Sequence, residues 1–135
     1  MGTEVQNAAL AESIMGRWSP SDLAFVERIE LGMESNSGSK MRIVGLFQIR
    51  RDPAWPVLEE PMHRVTIEFN GVSGLRLQGF GGGYAQVMGF DIHSIADRGW
   101  DGIAFEVEDY EDGKIKFYCG SVKVVEVESA ARHFP

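Results

Sequence analysis

The sequence predicts a mainly all-β chain, an antiparallel β-sandwich or strongly curved sheet of about seven strands with a short N-terminal helix. Three observations predict it. From residue 23 onward the apolar residues recur with period two, the spacing of a strand that buries one face. Glycine is abundant, with 16 residues against 5 prolines in 135, and nine of the glycines fall between Gly71 and Gly102, where turns are needed. Near the C-terminus, Asp112-Gly113 separates two alternating runs, a strong short-range hairpin signal.

Residues 1–16 read as the helix. Thr3 and Gln6 have capping-box spacing, Ala8, Ala9 and Ala11 favour the helix, and Gly16 ends it. Its apolar face is thin, so both a packed helix and a frayed tail fit. In Leu23 to Met33, Phe25, Ile29, Leu31 and Met33 share one parity, which predicts a strand burying that side. Ser35 to Ser39 form a polar turn, and Met41 to Arg50 carries apolar residues on both parities, as a central strand does. Pro53, Pro56 and Pro61 mark a connection that holds Trp55.

Arg64 to Asn70 alternates most cleanly, with Val65, Ile67 and Phe69 on one face. Short strands follow around Leu75 to Leu77 and Met88 to Ile92. The hairpin then joins Ile103, Phe105 and Val107 to Ile115, Phe117 and Cys119. Beyond it Val122, Val124, Val125 and Val127 change parity, which a bulge at Gly120 would explain. The expected organisation is one β domain over residues 17–128, preceded by the helix or tail of 1–16 and followed by a tail of 129–135.

Composition narrows function. The hydrophobic fraction of 44% suffices for a core and excludes a disordered or collagen-like chain. No apolar run approaches a membrane span, and Glu4 and Glu12 occupy a region where a signal peptide needs a basic start. With its single Cys119, the chain reads as soluble and cytoplasmic. A net charge of −7 argues against nucleic acid as a ligand.

Candidate chemistry is sparse. Asp97 to Glu108 overlaps a calcium-loop pattern, but Gly99 stands where a ligand oxygen is needed. Gly79 to Tyr84 is glycine-rich yet lacks dinucleotide-fingerprint spacing and a following lysine. His63, His93 and His133 have no metal-ligand spacing, so neither a metal nor a cofactor is expected. His93 and Asp91 share one strand face, which permits a His–carboxylate pair, with no recognisable nucleophile beside it. Cys119 follows the inward parity of Ile115 and Phe117 and reads as an inert core thiol.

Charge placement stands out more. Between Trp100 and Glu128 eight acids meet three bases, a net of −5, whereas Ser35 to Thr66 is mildly basic with five bases and three acids. Parity puts Glu106, Glu108 and Tyr110 on one outward face, with Lys116 and Tyr118 on the return strand and Glu111 and Asp112 at the turn. Acids interleaved with aromatics suit recognition of a basic protein, since charge steers encounter and rings supply anchoring area. A solvated face that aids solubility is the simpler reading of the same pattern.

The order of several stretches resembles the bacterial immunity protein 50 family, small β-rich immunity proteins of polymorphic toxin loci. These are Arg17 to Leu31, Val65 to Leu77, Val87 to Ile92, and Gly113 to Cys119 with Val122 to Val125. Together they span roughly residues 17 to 127, and the most specific phrase is Val65 to Leu77, a strand ending in Phe69-Asn70-Gly71-Val72-Ser73. Ser21-Asp22-Leu23-Ala24 stands where the family's His-Asp-Ala element would, so no role of that histidine transfers. The resemblance implies a non-catalytic protein that binds and neutralises a cognate toxin in the cytoplasm. Monomer and homodimer both remain open. A different class fits as well, a small-ligand or carbohydrate-binding sandwich that stacks its ligand on Trp55, Tyr84 and Trp100. A hydrolase built on His93 and Asp91 comes third.

Overall fold

A computed structural model describes residues 5–34, 38–50, 55–78, 85–86, 89–99, 102–109 and 114–130. Among them are one α-helix, α1 (Ala8–Met15), two single-turn 3-10 helices (Pro20–Asp22 and Ala96–Arg98), and nine strands: β1 (Leu23–Glu34), β2 (Gly38–Phe47), β3 (Met62–Asn70), β4 (Ser73–Leu77), β5 (Ala85–Gln86), β6 (Phe90–Ser94), β7 (Phe105–Asp109), β8 (Ile115–Cys119) and β9 (Ser121–Ala130). The strands form two antiparallel sheets, of order β5-β1-β2-β3-β9 and β4-β8-β7-β6. The expected β fold with an N-terminal helix is present, and β2 is a central strand. β5, only two residues long, has no periodicity to reveal it.

Two of the passages from one sheet to the other are short corners. β3 passes into β4 through Gly71 and Val72, and β8 into β9 through Gly120. The two corners lie side by side, with the Gly120 N–H donating to the Asn70 carbonyl at 2.8 Å and the Gly71 N–H to the Ser39 carbonyl at 2.8 Å. A Cβ on Gly120 would stand 2.8 Å from the Gly102 carbonyl oxygen, so only glycine fits this crossing. The phrase Phe69 to Ser73 is thus one of the two corners. The parity change has two causes: the chain changes sheet at Gly120, between Cys119 and Val122, and one residue is inserted between Val124 and Val127. Ile67 pairs with Val124 and Thr66 with Glu126, so the extra residue is Val125. Val124 and Val127 therefore stay on the core side.

The core lies between the sheets. Ile43, Phe47, Val65, Ile67, Phe69, Val122 and Val124 of the larger sheet meet Phe90, Phe105, Val107, Ile115, Phe117 and Cys119 of the smaller, in one buried cluster. The Phe69 and Phe117 rings make an edge-on contact with centroids 4.9 Å apart. The helix packs on this cluster through Ala11 and Met15. Asn7, with φ 62°, precedes it without a side-chain cap, and the Gly16 N–H closes it on the Glu12 carbonyl; Thr3 lies outside the described residues. The preceding chain is anchored too, since Gln6 bridges β9 through its N–H to the Val122 carbonyl and its carbonyl to the Val124 N–H.

Three expectations need correction. Register shifts in β1 pair Phe25 with Leu46, so it turns to the Trp55 cluster and does not share the side of Ile29, which pairs with Ile43. Leu31 and Met33 are 42% and 78% exposed although Leu31 pairs with buried Met41. Their parity is the core parity, but β1 continues past the region where apolar partners cover it. The last strand passes the boundary expected at residue 128, because β9 runs to Ala130.

Candidate functional site

The outer face of the smaller sheet is assembled by register. β4, β8, β7 and β6 place Arg76 opposite Lys116, Lys116 opposite Glu108, and Glu108 opposite Asp91. Directly opposed residues point to the same side, so one row across the sheet reads base, base, acid, acid. The adjoining row puts Tyr118 opposite Glu106 and Glu106 opposite His93. Alternation with buried Phe105, Val107, Ile115 and Phe117 fixes the outward direction of Glu106, Glu108, Lys116 and Tyr118. Tyr118 lies over the backbone of Gly74, where φ is 63° and a Cβ would stand 3.3 Å from the ring.

The acids on this face differ in their partners. Glu106 has only 15% side-chain exposure, with Lys116 Nζ at 3.6 Å and Arg98 Nη2 at 4.0 Å. Asp91 lies 3.4 Å from His93 Nε2. Among the described residues, neither Arg76 nor Glu108 belongs to an ion pair.

The outer face of the larger sheet is organised differently. Glu30, Arg42, Glu68 and Lys123 are successive neighbours across β1, β2, β3 and β9, so charges alternate in sign. Arg42 Nε donates to Glu68 at 3.0 Å. Burial acts to raise the Glu68 carboxyl, but the Arg42 hydrogen bond and the Lys40 charge outweigh it and hold the group below its ordinary range. Further along, Arg64 makes a two-pronged contact with Glu27, one prong at 3.0 Å, and reaches Glu128 at 2.9 Å. Hydrogen bonds to these two carboxylates bind the Arg64 proton more tightly than usual. Between the rows, Val44 and Thr66 floor a trough of about 560 Å³.

The acidic C-terminal segment is therefore divided in space. Glu106 and Glu108 face outward on the smaller sheet, whereas Glu126 and Glu128 line the trough of the larger one. Asp109 is buried and accepts from the Ile115 N–H at 3.0 Å, closing the hairpin. Tyr110, Glu111 and Asp112 lie outside the described residues, as do Tyr84 and Trp100. Asp91, Arg76 and Arg98 are the members of this surface that charge counting along the chain does not find. Parity marks Asp91 and Arg76 as outward, but only sheet order brings them beside Glu108 and Lys116.

Trp55 is not a stacking platform. It is 8% exposed, packs with Ala24, Leu46 and Met62, and donates from Nε1 to the Gln48 carbonyl at 2.7 Å. The Arg50 guanidinium lies 4.0 Å from its ring centre. Gln48 fixes the same loop through Val57, accepting from its N–H at 2.7 Å and donating to its carbonyl at 2.9 Å. Trp18 is buried as well and packs on Phe47. Buried Asp22, to which the sequence assigns no role, accepts from the Arg50 N–H at 3.1 Å and ties the chain before β1 to the segment after β2. Cys119 is fully buried, which pushes its thiol up to about 12. No group of three His, Cys, Asp or Glu suited to a metal occurs among the described residues. No helix among them is long and apolar enough to cross a membrane.

These features define a two-sheet antiparallel β protein whose sheets carry contrasting charged outer faces. Compared with protein-family models, curated proteins and solved structures, the chain gives no match.

Proposed function

We propose that this chain is a non-catalytic immunity-type protein that binds and neutralises a partner toxin in the cytoplasm, using the outer face of its smaller sheet. The observation that carries the reading is the contrast between the two charged faces. On the larger sheet each charge in the Glu30 to Lys123 row meets its opposite. On the smaller sheet Asp91 and Glu108 stand acid to acid, at a cost to the isolated fold. A basic partner relieves that cost by bringing cations to Asp91 and Glu108, while Tyr118 offers an aromatic contact beside them. The resemblance of residues 17 to 127 to an immunity family supports the same class.

Co-expression tests it. The C-terminal domain encoded by the neighbouring gene should arrest growth alone and be tolerated beside this chain. Combining Asp91→Lys with Glu108→Lys should slow association at low salt and restore toxicity. A neighbouring product that is harmless, or toxic regardless of this chain, overturns the immunity reading. An association rate unchanged by the double substitution overturns the assigned face.

A further inference from the structure

We infer that the same face docks face to face on a second copy of this chain, related by a two-fold axis that lies in the interface parallel to the strands, above the gap between β7 and β8. The row Arg76, Lys116, Glu108, Asp91 runs base, base, acid, acid across four neighbouring strands, about 14 Å at ordinary strand spacing. Rotating such a row by 180° about its midpoint reverses it. Each residue then meets an opposite charge: Arg76 of one copy faces Asp91 of the other, and Lys116 faces Glu108. Both pairings occur twice, as an isologous interface requires. Arg76 and Glu108, outside any ion pair among the described residues, gain partners, and the like-charge neighbours within each copy are separated by cations and anions from the other. The alternating row of the larger sheet has its charges matched within the chain.

The contact is small and polar. Four short strands present too little area for an obligate dimer, so association is weak and reversible. The net charge of −7 on each copy opposes it at very low salt. Close pairs outlast that repulsion at about 0.1 M salt, where the screening length is about 10 Å, and fail near 1 M.

Sedimentation velocity on this chain alone tests the inference with two single variants, Arg76→Glu and Asp91→Lys. Each converts a like-charge neighbour pair within the chain into an opposite-charge one, so each should fold at least as stably as the parent. The parent should show concentration-dependent dimers at about 0.1 M salt that dissociate near 1 M. Either variant alone should be monomeric under the same conditions. An equimolar mixture should dimerise again, because the substituted positions complement each other across the axis. A monomeric parent, variants that dimerise like the parent, or a mixture that stays monomeric each overturns the proposal. With no toxin in the cell, these outcomes leave the immunity reading to the co-expression test.

Discussion

Asp91 on β6 and Glu108 on β7 stand directly opposite each other, two carboxylates on one outward face. Like charges in this relation destabilise a sheet by an amount comparable to what a favourable cross-strand pair contributes, about 0.2–1 kcal/mol. Asp91→Asn should therefore raise unfolding free energy by a few tenths of a kcal/mol at low salt, on that scale. Urea denaturation at about 0.02 M and about 1 M salt checks it, since screening should abolish the gain. A loss of stability in low salt would mean that the exposed Asp91–His93 contact outweighs the repulsion.

Gly120 crosses between the sheets against the backbone of Gly102. Gly120→Ala forces apart two main-chain segments with no flexible side chain to give way. The expected loss is about 1–3 kcal/mol, the usual range for overpacking. Thermal unfolding measures it, with Gly32→Ala, where the nearest atom is 3.9 Å away, as the roomy control.

Arg64 holds Glu27 and Glu128 together across three strands. Arg64→Met should cost about 1–3 kcal/mol, as expected when charge-assisted bonds to a partly buried carboxylate are removed. Arg64→Lys should recover only part, because an ammonium cannot reproduce the fork. Equal stability of the two variants in denaturant would show that charge alone, and not geometry, matters here.

His63 lies at the start of β3, in a crevice with Met15, Ile49 and Glu60, where burial lowers its proton affinity. A lowered folded pKa means that the unfolded chain binds the proton more readily. Stability should therefore be fully present above the ordinary histidine value of 6.5 and fall as pH drops through it toward the folded value. His63→Gln should flatten this part of the pH–stability curve, measured between pH 5 and pH 8 by denaturant titration. An unchanged slope would place the acid sensitivity elsewhere.

Cys119 should resist thiol reagents in the folded protein. It is fully buried and its thiol is pushed up to about 12, so almost no thiolate exists at neutral pH. A disulfide reagent should label it only in denaturant, and rapid labelling in native buffer would show that the sandwich opens readily.

The periodicity of Arg64 to Asn70, the Asp-Gly hairpin and the stop at Gly16 were legible because each depends on residues a few positions apart. The outward parity of Glu106, Glu108, Lys116 and Tyr118 was legible for the same reason, since a strand alternates its faces. Trp55 was not. Its burial depends on Gln48 and Arg50 folding over a proline-rich connection, and composition alone makes it an equally good ligand platform.

By itself, then, the sequence determined strand content, the short helix and, within unbulged stretches, which side chains share a face, all of them consequences of local geometry and turn chemistry. Only the tertiary structure decided that two strand pairs cross between sheets at Gly71 and Gly120, that Val125 and not Gly120 carries the bulge, and that Arg76 adjoins Lys116. Sheet order and register are pairings between distant segments. They are set by which buried surfaces fit together, and no spacing along the chain encodes them. The division of the acidic segment between two opposite faces follows from those pairings.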